Sequence, residues 1–166
     1  MKKYVYKPYS NSFPKLFNAE KKRISSYLKT PLAIEHIGST AVPGLGGKGI
    51  IDIAIAVNKQ DMEAASQQLQ NLGYEFRPTF STSVRFYFVI YLPDAEEETR
   101  RYHVHLTYSE SNEWKELIGF RNYLIDHPKK AEEYAEIKKK AVVEADQDGE
   151  KYRKLKEHVF KEFNAQ

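Results

Sequence analysis

The feature that most constrains the fold is an eight-residue apolar run, 50–57, interrupted by one carboxylate, Asp52. Its β-branched residues and alanines are typical of a strand buried inside a sheet. Because side chains alternate along a strand, Asp52, Ala54 and Ala56 share one face and the isoleucines take the other. A carboxylate is costly to bury there without a cation or hydrogen bonds. Since the alanines leave space on its face, we expect Asp52 to line a ligand cleft, the alternative being a carboxylate that caps nearby backbone.

A Gly-Ser-Thr turn precedes this strand in the chain. Gly38 allows the backbone to turn sharply and a phosphate to approach its N–H groups. Ser39 and Thr40 add hydroxyl donors, and Lys48 adds a cation. The pattern predicts that Gly38, Ser39, Thr40 and Lys48 bind a phosphate, the alternative being a purely structural turn. Residues 44–49 do not form a P-loop, because the glycines are wrongly spaced and no Ser or Thr follows Lys48.

Two histidines, His103 and His105, share one face of another predicted strand, 101–108. An aromatic strand at 82–92 and an acidic turn precede it, which predicts a β-hairpin with a connection longer than two residues. Two imidazoles at this spacing can share a metal ion or flank a phosphate, although ordinary hydrogen-bonded histidines are the alternative. If this strand pairs with the strand of Asp52, the three side chains converge. We therefore take Asp52, His103 and His105 as candidate catalytic and metal-binding residues.

Two charged residues occupy helical positions where the spacing predicts apolar ones. Glu20 lies on the apolar stripe of the first helix and Arg121 on that of a later helix. Each either forms a buried ion pair or belongs to a site. Arg121 suits an anionic ligand, because its guanidinium holds a phosphate or carboxylate with two bonds. Arg85, on the predicted hairpin, is a further candidate.

Helical periodicity and turn residues predict the remaining elements. These are a helix at 12–28 with Ser12 as its cap, a strand at 32–37, a helix at 61–72 ending at Gly73, a helix at 111–126 capped by Ser111, a helix beginning at Pro128, and a last helix from about Asp148. A helix, a mixed core and a helical C-terminal third predict an α+β fold, with residues 1–166 as a single domain.

Composition narrows the class of protein. A chain of 166 residues with 41% hydrophobic and 13% aromatic residues fits one folded domain. The absence of cysteine excludes disulfides and thiolate metal sites. The longest apolar run is far shorter than the roughly 20 residues of a membrane-spanning helix, and the N-terminus lacks the apolar stretch of a signal peptide, so we expect a cytoplasmic protein. A net charge of +3, with mixed signs along the C-terminal helices, does not predict nucleic-acid binding.

Several motifs are similar to those of one known family. They are Glu-His-Ile-Gly-Ser-Thr-Ala-Val-Pro-Gly-Leu at 35–45, Lys48, Ile-Ile-Asp-Ile at 50–53, Tyr-His-Val-His-Leu at 102–106, Phe-Arg-Asn-Tyr-Leu at 120–124, and Tyr134-Ala135-x-x-Lys138. Together they closely resemble the GrpB family, from about Tyr6 to Phe163. Gly46, Gly47 and Gly49 stand where that family more usually has Ala, Ala and Pro, which predicts a looser loop.

The resemblance implies a nucleotidyltransferase-like fold, with a small mixed β-sheet flanked by helices, in a bacterial protein. Related domains are fused to dephospho-CoA kinase in some bacteria. In that superfamily the Gly-Ser turn precedes an Asp-x-Asp/Glu strand whose carboxylates hold paired Mg²⁺ ions. Here the second acidic position is Ala54, and His103 or His105 lies where a third carboxylate is expected. The magnesium ligand set is therefore incomplete, and imidazole suits Mn²⁺ or Zn²⁺ better.

The leading interpretation is a nucleotidyltransferase-like protein that binds a nucleotide or another phosphorylated small molecule, and that transfers nucleotidyl groups if its ligand set suffices. The Gly38–Ser39 turn and Lys48 would hold phosphate, Asp52 a divalent metal (Mg²⁺, Mn²⁺ or Zn²⁺), and Arg121 an anion. One alternative is a non-catalytic binding or accessory module on a degenerate scaffold, for which a protein partner is open. Another is a metal-dependent phosphoester hydrolase that uses the two histidines with Asp52. Neither a membrane nor a nucleic acid is an expected partner.

Overall fold

The computed structural model describes residues 6–145, 150, 154 and 157. Its helices are α1 (Phe13–Ser25), α2 (Met62–Asn71), α3 (Asn112–Asp126) and α4 (Pro128–Ala145), and its strands are β1 (Ala33–Ile37), β2 (Ile51–Val57), β3 (Glu75–Phe76), β4 (Arg85–Asp94) and β5 (Glu98–Tyr108). The α+β prediction is confirmed, with α3 and α4 following the last strand. Within these described residues, no helix has the length and apolar character needed to cross a membrane.

The strands form one mixed sheet in the order β1-β2-β5-β4-β3. β2 and β5 run parallel, and the other neighbouring strands run antiparallel. The predicted β4–β5 hairpin is confirmed, with Asp94 opposite Glu98 at its end and Glu98 at a φ of 63°. β5, the last strand in the chain, therefore occupies the centre of the sheet.

One face of the sheet forms the main hydrophobic core with α1 and α2. The buried side chains of this face are Ile51, Ile53, Ile55, Val57, Tyr102, Val104, Leu106 and Phe88, and those of the helices include Phe13, Phe17, Ile24, Met62, Ala65 and Leu69. The odd positions of β2 and the even positions of β5 meet here because the two strands are in register. Strand alternation thus sends the polar residues of both strands to the opposite face.

The opposite face, which we call the polar face, carries Asp52, His103, His105 and Tyr87. α3 contacts β1, β2 and β5. A second apolar cluster joins α3 and α4 to the loop after β1 and consists of Val42, Leu45, Leu124, Ala131 and Tyr134. The two C-terminal helices are thereby held beside the polar face.

Most predicted elements are present with shifted ends. Ser111 caps α3 as predicted, since its Oγ accepts a hydrogen bond from the Trp114 N–H at 3.0 Å. Ser12 precedes α1, but its hydroxyl donates to Glu96 (2.8 Å) and makes no side-chain cap. The strand predicted at 82–92 begins only at Arg85, and β3 was not predicted at all. The helix predicted from about Asp148 lies largely outside the described residues.

Glu20 forms a buried structural pair within the main core. Its carboxylate accepts hydrogen bonds from the Arg23 guanidinium and, at 3.1 Å, from the Tyr74 hydroxyl. These two partners explain how a carboxylate is accommodated on the apolar stripe of α1.

Candidate functional site

The sheet register brings Asp52, His103 and His105 together. Asp52 lies opposite His103 in the parallel β2–β5 pair, and Ala54 lies opposite His105. The Asp52 Oδ1 atom is 3.3 Å from His103 Nδ1 and 3.6 Å from His105 Nε2. All three side chains are mostly buried, and Asp52 is 23% exposed. The cluster is thus sheltered but open to a ligand.

Asp52 is ionised within this cluster. Burial acts to raise the pKa of Asp52, but its contacts with His103 and His105 outweigh burial and hold that pKa well below its usual range. Burial lowers the pKa of His103, against the opposing charge of Asp52. At neutral pH a carboxylate therefore lies beside a neutral His103 imidazole. Such an imidazole can take up a proton, and the carboxylate stabilises the cation that forms.

Tyr87 completes the cluster and is absent from the sequence prediction. Its hydroxyl lies 2.6 Å from His103 Nδ1, and its ring packs edge-on against both imidazoles, with centroids 5.1 Å and 5.2 Å away. Burial, and then the charge of Asp52, raise the pKa of Tyr87, so the phenol stays protonated. Tyr87 therefore supplies a neutral O–H group at one side of His103.

The Gly38 turn lies directly against the Asp52 carboxylate. Gly38 has a φ of 75°, and a Cβ atom on it would be 2.6 Å from Asp52 Oδ2. Both the backbone conformation and the close approach require glycine here. The predicted phosphate turn and the predicted catalytic carboxylate are therefore adjacent.

Helix α4 contributes two residues beside this turn. A Cβ atom on Gly47 would lie 2.5 Å from Ser39 Oγ and 2.6 Å from Lys138 Nζ, so the hydroxyl and the ammonium meet at one point of the loop. Lys138 is only 4% exposed. One helical turn earlier, burial and then the charge of Asp52 raise the pKa of Tyr134. α4 therefore extends the cluster from the sheet to the Ser39 side.

The Thr40 hydroxyl is fully engaged within the protein. It donates to the Ile50 carbonyl oxygen at 3.0 Å and lies 2.9 Å from His36 Nε2. Because its hydrogen points to Ile50, His36 Nε2 must be the donor in the second bond. Thr40 is buried, and its hydroxyl links the turn to Ile50 and His36.

Two of the cations predicted to bind anions, Arg121 and Lys48, lie in different settings. Arg121 Nη1 donates to Glu35 (2.8 Å) and to the His36 carbonyl oxygen (3.0 Å), and its Nε and Nη2 donate to Asn122. It therefore ties α3 to β1. Lys48 is half-buried in the loop before β2.

The donor set does not fit a pair of Mg²⁺ ions. Mg²⁺ prefers oxygen ligands, whereas β2 offers only Asp52, and Ala54 is completely buried. Among the residues that the structure describes, no three His, Asp or Glu side chains are arranged to hold a metal ion. Binding of Mn²⁺ or Zn²⁺, which accept imidazole ligands, stays a prediction.

Comparison with known proteins supports one family. The chain is 35% identical over 155 residues to a UPF0157 protein of Pseudomonas aeruginosa. The aligned region covers 92% of this chain and 62% of that protein. It is also 35% identical over 136 residues to the UPF0157 protein YqkA of Bacillus subtilis, covering 79% of this chain and 37% of YqkA. The chain thus spans less than two thirds of either relative.

A solved structure has the same fold over almost the whole chain. The crystal structure of the conserved protein GrpB from Enterococcus faecalis matches with a TM-score of 0.75 and 27% identity, covering 96% of this chain and 99% of that one. The family model described as "GrpB protein" matches residues 4–166. The chain therefore belongs to the GrpB family.

Proposed function

We propose that this protein binds a nucleotide or another phosphorylated small molecule on the polar face. The observation that carries the proposal is the buried Asp52–His103–His105 cluster, two of whose nitrogens lack partners. His103 Nε2 and His105 Nδ1 are buried and make no hydrogen bond to any described residue. Buried polar atoms of this kind are rare unless a ligand or water supplies the bond.

The phosphate would lie between the Gly38–Ser39 turn and α4. Ser39 Oγ and Lys138 Nζ meet beside Gly47, and a hydroxyl with an ammonium is a donor pair suited to phosphate oxygens. Lys48, which lies next to Gly47, is a further candidate cation. The closeness of Gly38 to Asp52 would bring this phosphate next to the imidazoles.

Nucleotidyl transfer is the activity that this arrangement supports best. His103, neutral at pH 7, would take the proton of an acceptor hydroxyl as its oxygen bonds to the α-phosphorus and the bond to the departing pyrophosphate breaks, and Asp52 would stabilise the resulting imidazolium. Tyr87, whose hydroxyl meets the same Nδ1 atom that faces Asp52, would help to hold the imidazole in place. Binding of Mn²⁺ or Zn²⁺ stays a prediction, and the proton transfer to His103 does not require it.

A non-catalytic binding module is the second candidate, and Ala54 favours it. The residues flanking Ala54 in the sheet are Glu35 and His105. Glu35, the acid opposite Ala54, is paired with Arg121 at 2.8 Å. Glu35 is therefore not free to assist Asp52.

Thermal stability of the purified protein tests both candidates. The wild type is heated with Mg²⁺, Mn²⁺ or Zn²⁺, each with and without ATP, CTP, GTP or UTP. A ligand at one hundred times its Kd adds about 2.7 kcal/mol to the free energy of unfolding. We expect one nucleotide to raise the Tm and Asp52→Asn to abolish that shift. Asp126→Asn is the matched control, because Asp126 is exposed at the end of α3.

The outcomes separate the candidates. A shift accompanied by release of pyrophosphate, lost in His103→Gln, supports a transferase. A shift without turnover supports the binding module. If no nucleotide shifts the wild type, nucleotide binding and nucleotidyl transfer are both wrong, and only another phosphorylated ligand remains.

A further inference from the structure

One row of paired residues crosses the sheet through the Asp52–His103 cluster. Ile37 of β1 lies opposite Asp52 of β2, which lies opposite His103 of β5. His103 in turn lies opposite Val89 of β4. Gly38 follows Ile37 directly, so the row begins at the candidate phosphate turn and ends on β4.

A second pair, Tyr91 of β4 and Arg101 of β5, lies beside the β4 end of this row. The two residues are opposite each other. Each is two positions from its neighbour in the row, Val89 or His103, and therefore shares the polar face with it. Arg85, the other arginine of this hairpin that the sequence singled out, lies six residues before Tyr91 at the start of β4 and is not part of this pair.

The Tyr91–Arg101 pair combines an exposed ring with a donor that has no partner among the described residues. Tyr91 is 56% exposed, and the Arg101 guanidinium lies 5.8 Å from its ring centroid. Arg101 Nε is buried without a hydrogen bond to any described residue, and so is His103 Nε2, two positions along the same strand face. Neighbouring buried polar atoms of this kind indicate that a ligand or water supplies their bonds.

The order of these groups across the sheet matches the order of groups in a nucleoside triphosphate. In nucleotidyl transfer, the reacting α-phosphorus lies between the nucleoside and the departing pyrophosphate. In the sheet, Asp52 and His103 lie between the Gly38 turn and Tyr91. The start of β5, the start of β2 and the end of β1 lie at one end of the sheet, so Arg101 and Gly38 are beyond the row on the same side. From β1 to β4 is three strand spacings, roughly 14 Å in all, which an extended nucleoside triphosphate spans.

We propose that Tyr91 and Arg101 form a nucleoside subsite, in which a planar base stacks on the exposed Tyr91 ring and Arg101 donates hydrogen bonds to an oxygen of the base or the ribose. Bases stack on aromatic rings and on guanidinium planes, because every base has a π-face. The subsite rests on the proposed function. It adds the position of the nucleoside half of the ligand, which the Gly38 turn and Lys138 leave undetermined.

Calorimetric titration with nucleotides and with inorganic tripolyphosphate separates the two halves of the ligand. ATP, CTP, GTP and UTP carry a base, whereas tripolyphosphate has the phosphates alone. We expect the wild type to bind at least one of the nucleotides more tightly than tripolyphosphate, by about tenfold or more. Tyr91→Ser should raise the Kd of that nucleotide by about tenfold, as expected for the loss of one stacked base, and should leave the Kd of tripolyphosphate within about twofold.

Matched variants control for indirect effects. Tyr91→Phe keeps the ring and should bind as the wild type does. Tyr27→Ser removes a comparably exposed ring, 49% exposed, after α1, and should leave both Kd values unchanged. Arg101→Gln should weaken nucleotide binding, whereas Lys130→Gln, the same loss of charge at an exposed position of α4, should not. Circular dichroism establishes that each variant is folded, and Tyr91→Leu serves if Tyr91→Ser is not.

Each result decides the proposal. Weaker nucleotide binding in Tyr91→Ser and Arg101→Gln, with tripolyphosphate binding unaffected, would support the subsite. An equal loss of both ligands would overturn it, because the substitutions would then act through the phosphate site or the fold. Nucleotide binding unchanged in both variants would also overturn it.

Free nucleosides and the dependence on Asp52 distinguish this proposal from the proposed function. If a nucleotide binds in an Asp52-dependent way while the Tyr91 and Arg101 variants match the wild type, the subsite fails and the proposed function stands. If neither nucleotides nor tripolyphosphate bind, but a millimolar nucleoside such as adenosine binds the wild type and not Tyr91→Ser, nucleotide binding fails and the subsite stands. If nothing in the set binds, both fail.

Discussion

Gly38 and Asp52 are in such close contact that a methyl group on the glycine would lie 2.6 Å from Asp52 Oδ2. This contact fixes the carboxylate beneath the turn and leaves its other oxygen facing the two histidines. The pair therefore sets the distance between the candidate phosphate turn and the candidate proton-transfer residues.

Gly38→Ala tests this contact. Gly44 is the matched control, since its φ is 81° but nothing lies within 4 Å of its Cβ position. Gly44→Ala should cost about 1–2 kcal/mol of unfolding free energy from its positive φ alone, whereas Gly38, with a φ of 75° and a ψ of −175°, lies in a region almost confined to glycine, where the backbone cost is about 1–3 kcal/mol. Gly38→Ala should cost about 1–3 kcal/mol more, because the methyl group displaces Asp52. Urea unfolding measures both, and equal losses at the two positions would show that the contact is unimportant.

Gly47→Ala probes the Ser39–Lys138 meeting point. The added methyl would contact Ser39 Oγ and Lys138 Nζ, so we expect a loss of about 1–3 kcal/mol of unfolding free energy and weaker nucleotide binding. Gly119→Ala in α3 has nothing within 4 Å and should instead stabilise by about 0.5–1 kcal/mol. Thermal and urea unfolding compare the two. Unchanged stability and binding in Gly47→Ala would contradict the described packing of α4 on this loop.

His36 should make stability depend on pH. Burial lowers the pKa of His36 to about 4, from 6.5. Between pH 6.5 and pH 4, His36 is protonated in the unfolded chain but stays neutral in the folded protein. The free energy of unfolding therefore falls as the pH falls. The slope is at most about 1.4 kcal/mol per pH unit, and the loss is complete below pH 4. Urea unfolding at pH 7 and pH 4.5 should show a smaller difference for His36→Gln than for the wild type; an identical difference would exclude His36 as a cause.

Arg121 and Glu35 should be energetically coupled. A double-mutant cycle with Arg121→Gln and Glu35→Gln should give a coupling of about 1 kcal/mol in urea unfolding. The sequence also predicts that Arg121 binds an anion, in which case Arg121→Gln weakens ATP binding and Glu35→Gln does not. Equal ATP affinity in both variants would mean that Arg121 does not bind the nucleotide and only ties α3 to β1.

Much of the site follows from local patterns in the sequence. The apolar run at 50–57 predicts a buried strand, and alternation alone separates Asp52 from the isoleucines. The same rule places His103 and His105 on one face. The pairing of β2 with β5 does not follow from such local patterns. The two strands are separated in the chain by α2, β3 and β4, and no pattern within either strand specifies that they pair in parallel. From the sequence alone, Asp52, His103 and His105 are therefore expected to converge only if their two strands pair.

The missed residues lacked a distinguishing pattern. Tyr87 lies between Phe86 and Phe88, so both faces of β4 carry aromatic rings and alternation does not tell which ring enters the site. Lys138 is the first of three consecutive lysines. Only the packing of α4 determines which of the three is buried. Arg101 stands beside Arg100, whose guanidinium is buried against Asp94. The two side chains point to opposite faces of the sheet, so identical neighbouring residues lie in different surroundings.

The central position of β5 also determines the order in which the site can be assembled. A ribosome that has released β1 to β4 has made every strand except the one that lies between β2 and β4. Until residues 98–108 emerge, β2 and β4 have no shared partner, and Asp52 and Tyr87 belong to separate pieces of an unfinished sheet. Contacts between residues so distant in sequence form slowly. Insertion of β5 therefore completes the main hydrophobic core and brings Asp52 together with His103, His105 and Tyr87, whereas Lys138 of α4 can join the candidate site only afterwards.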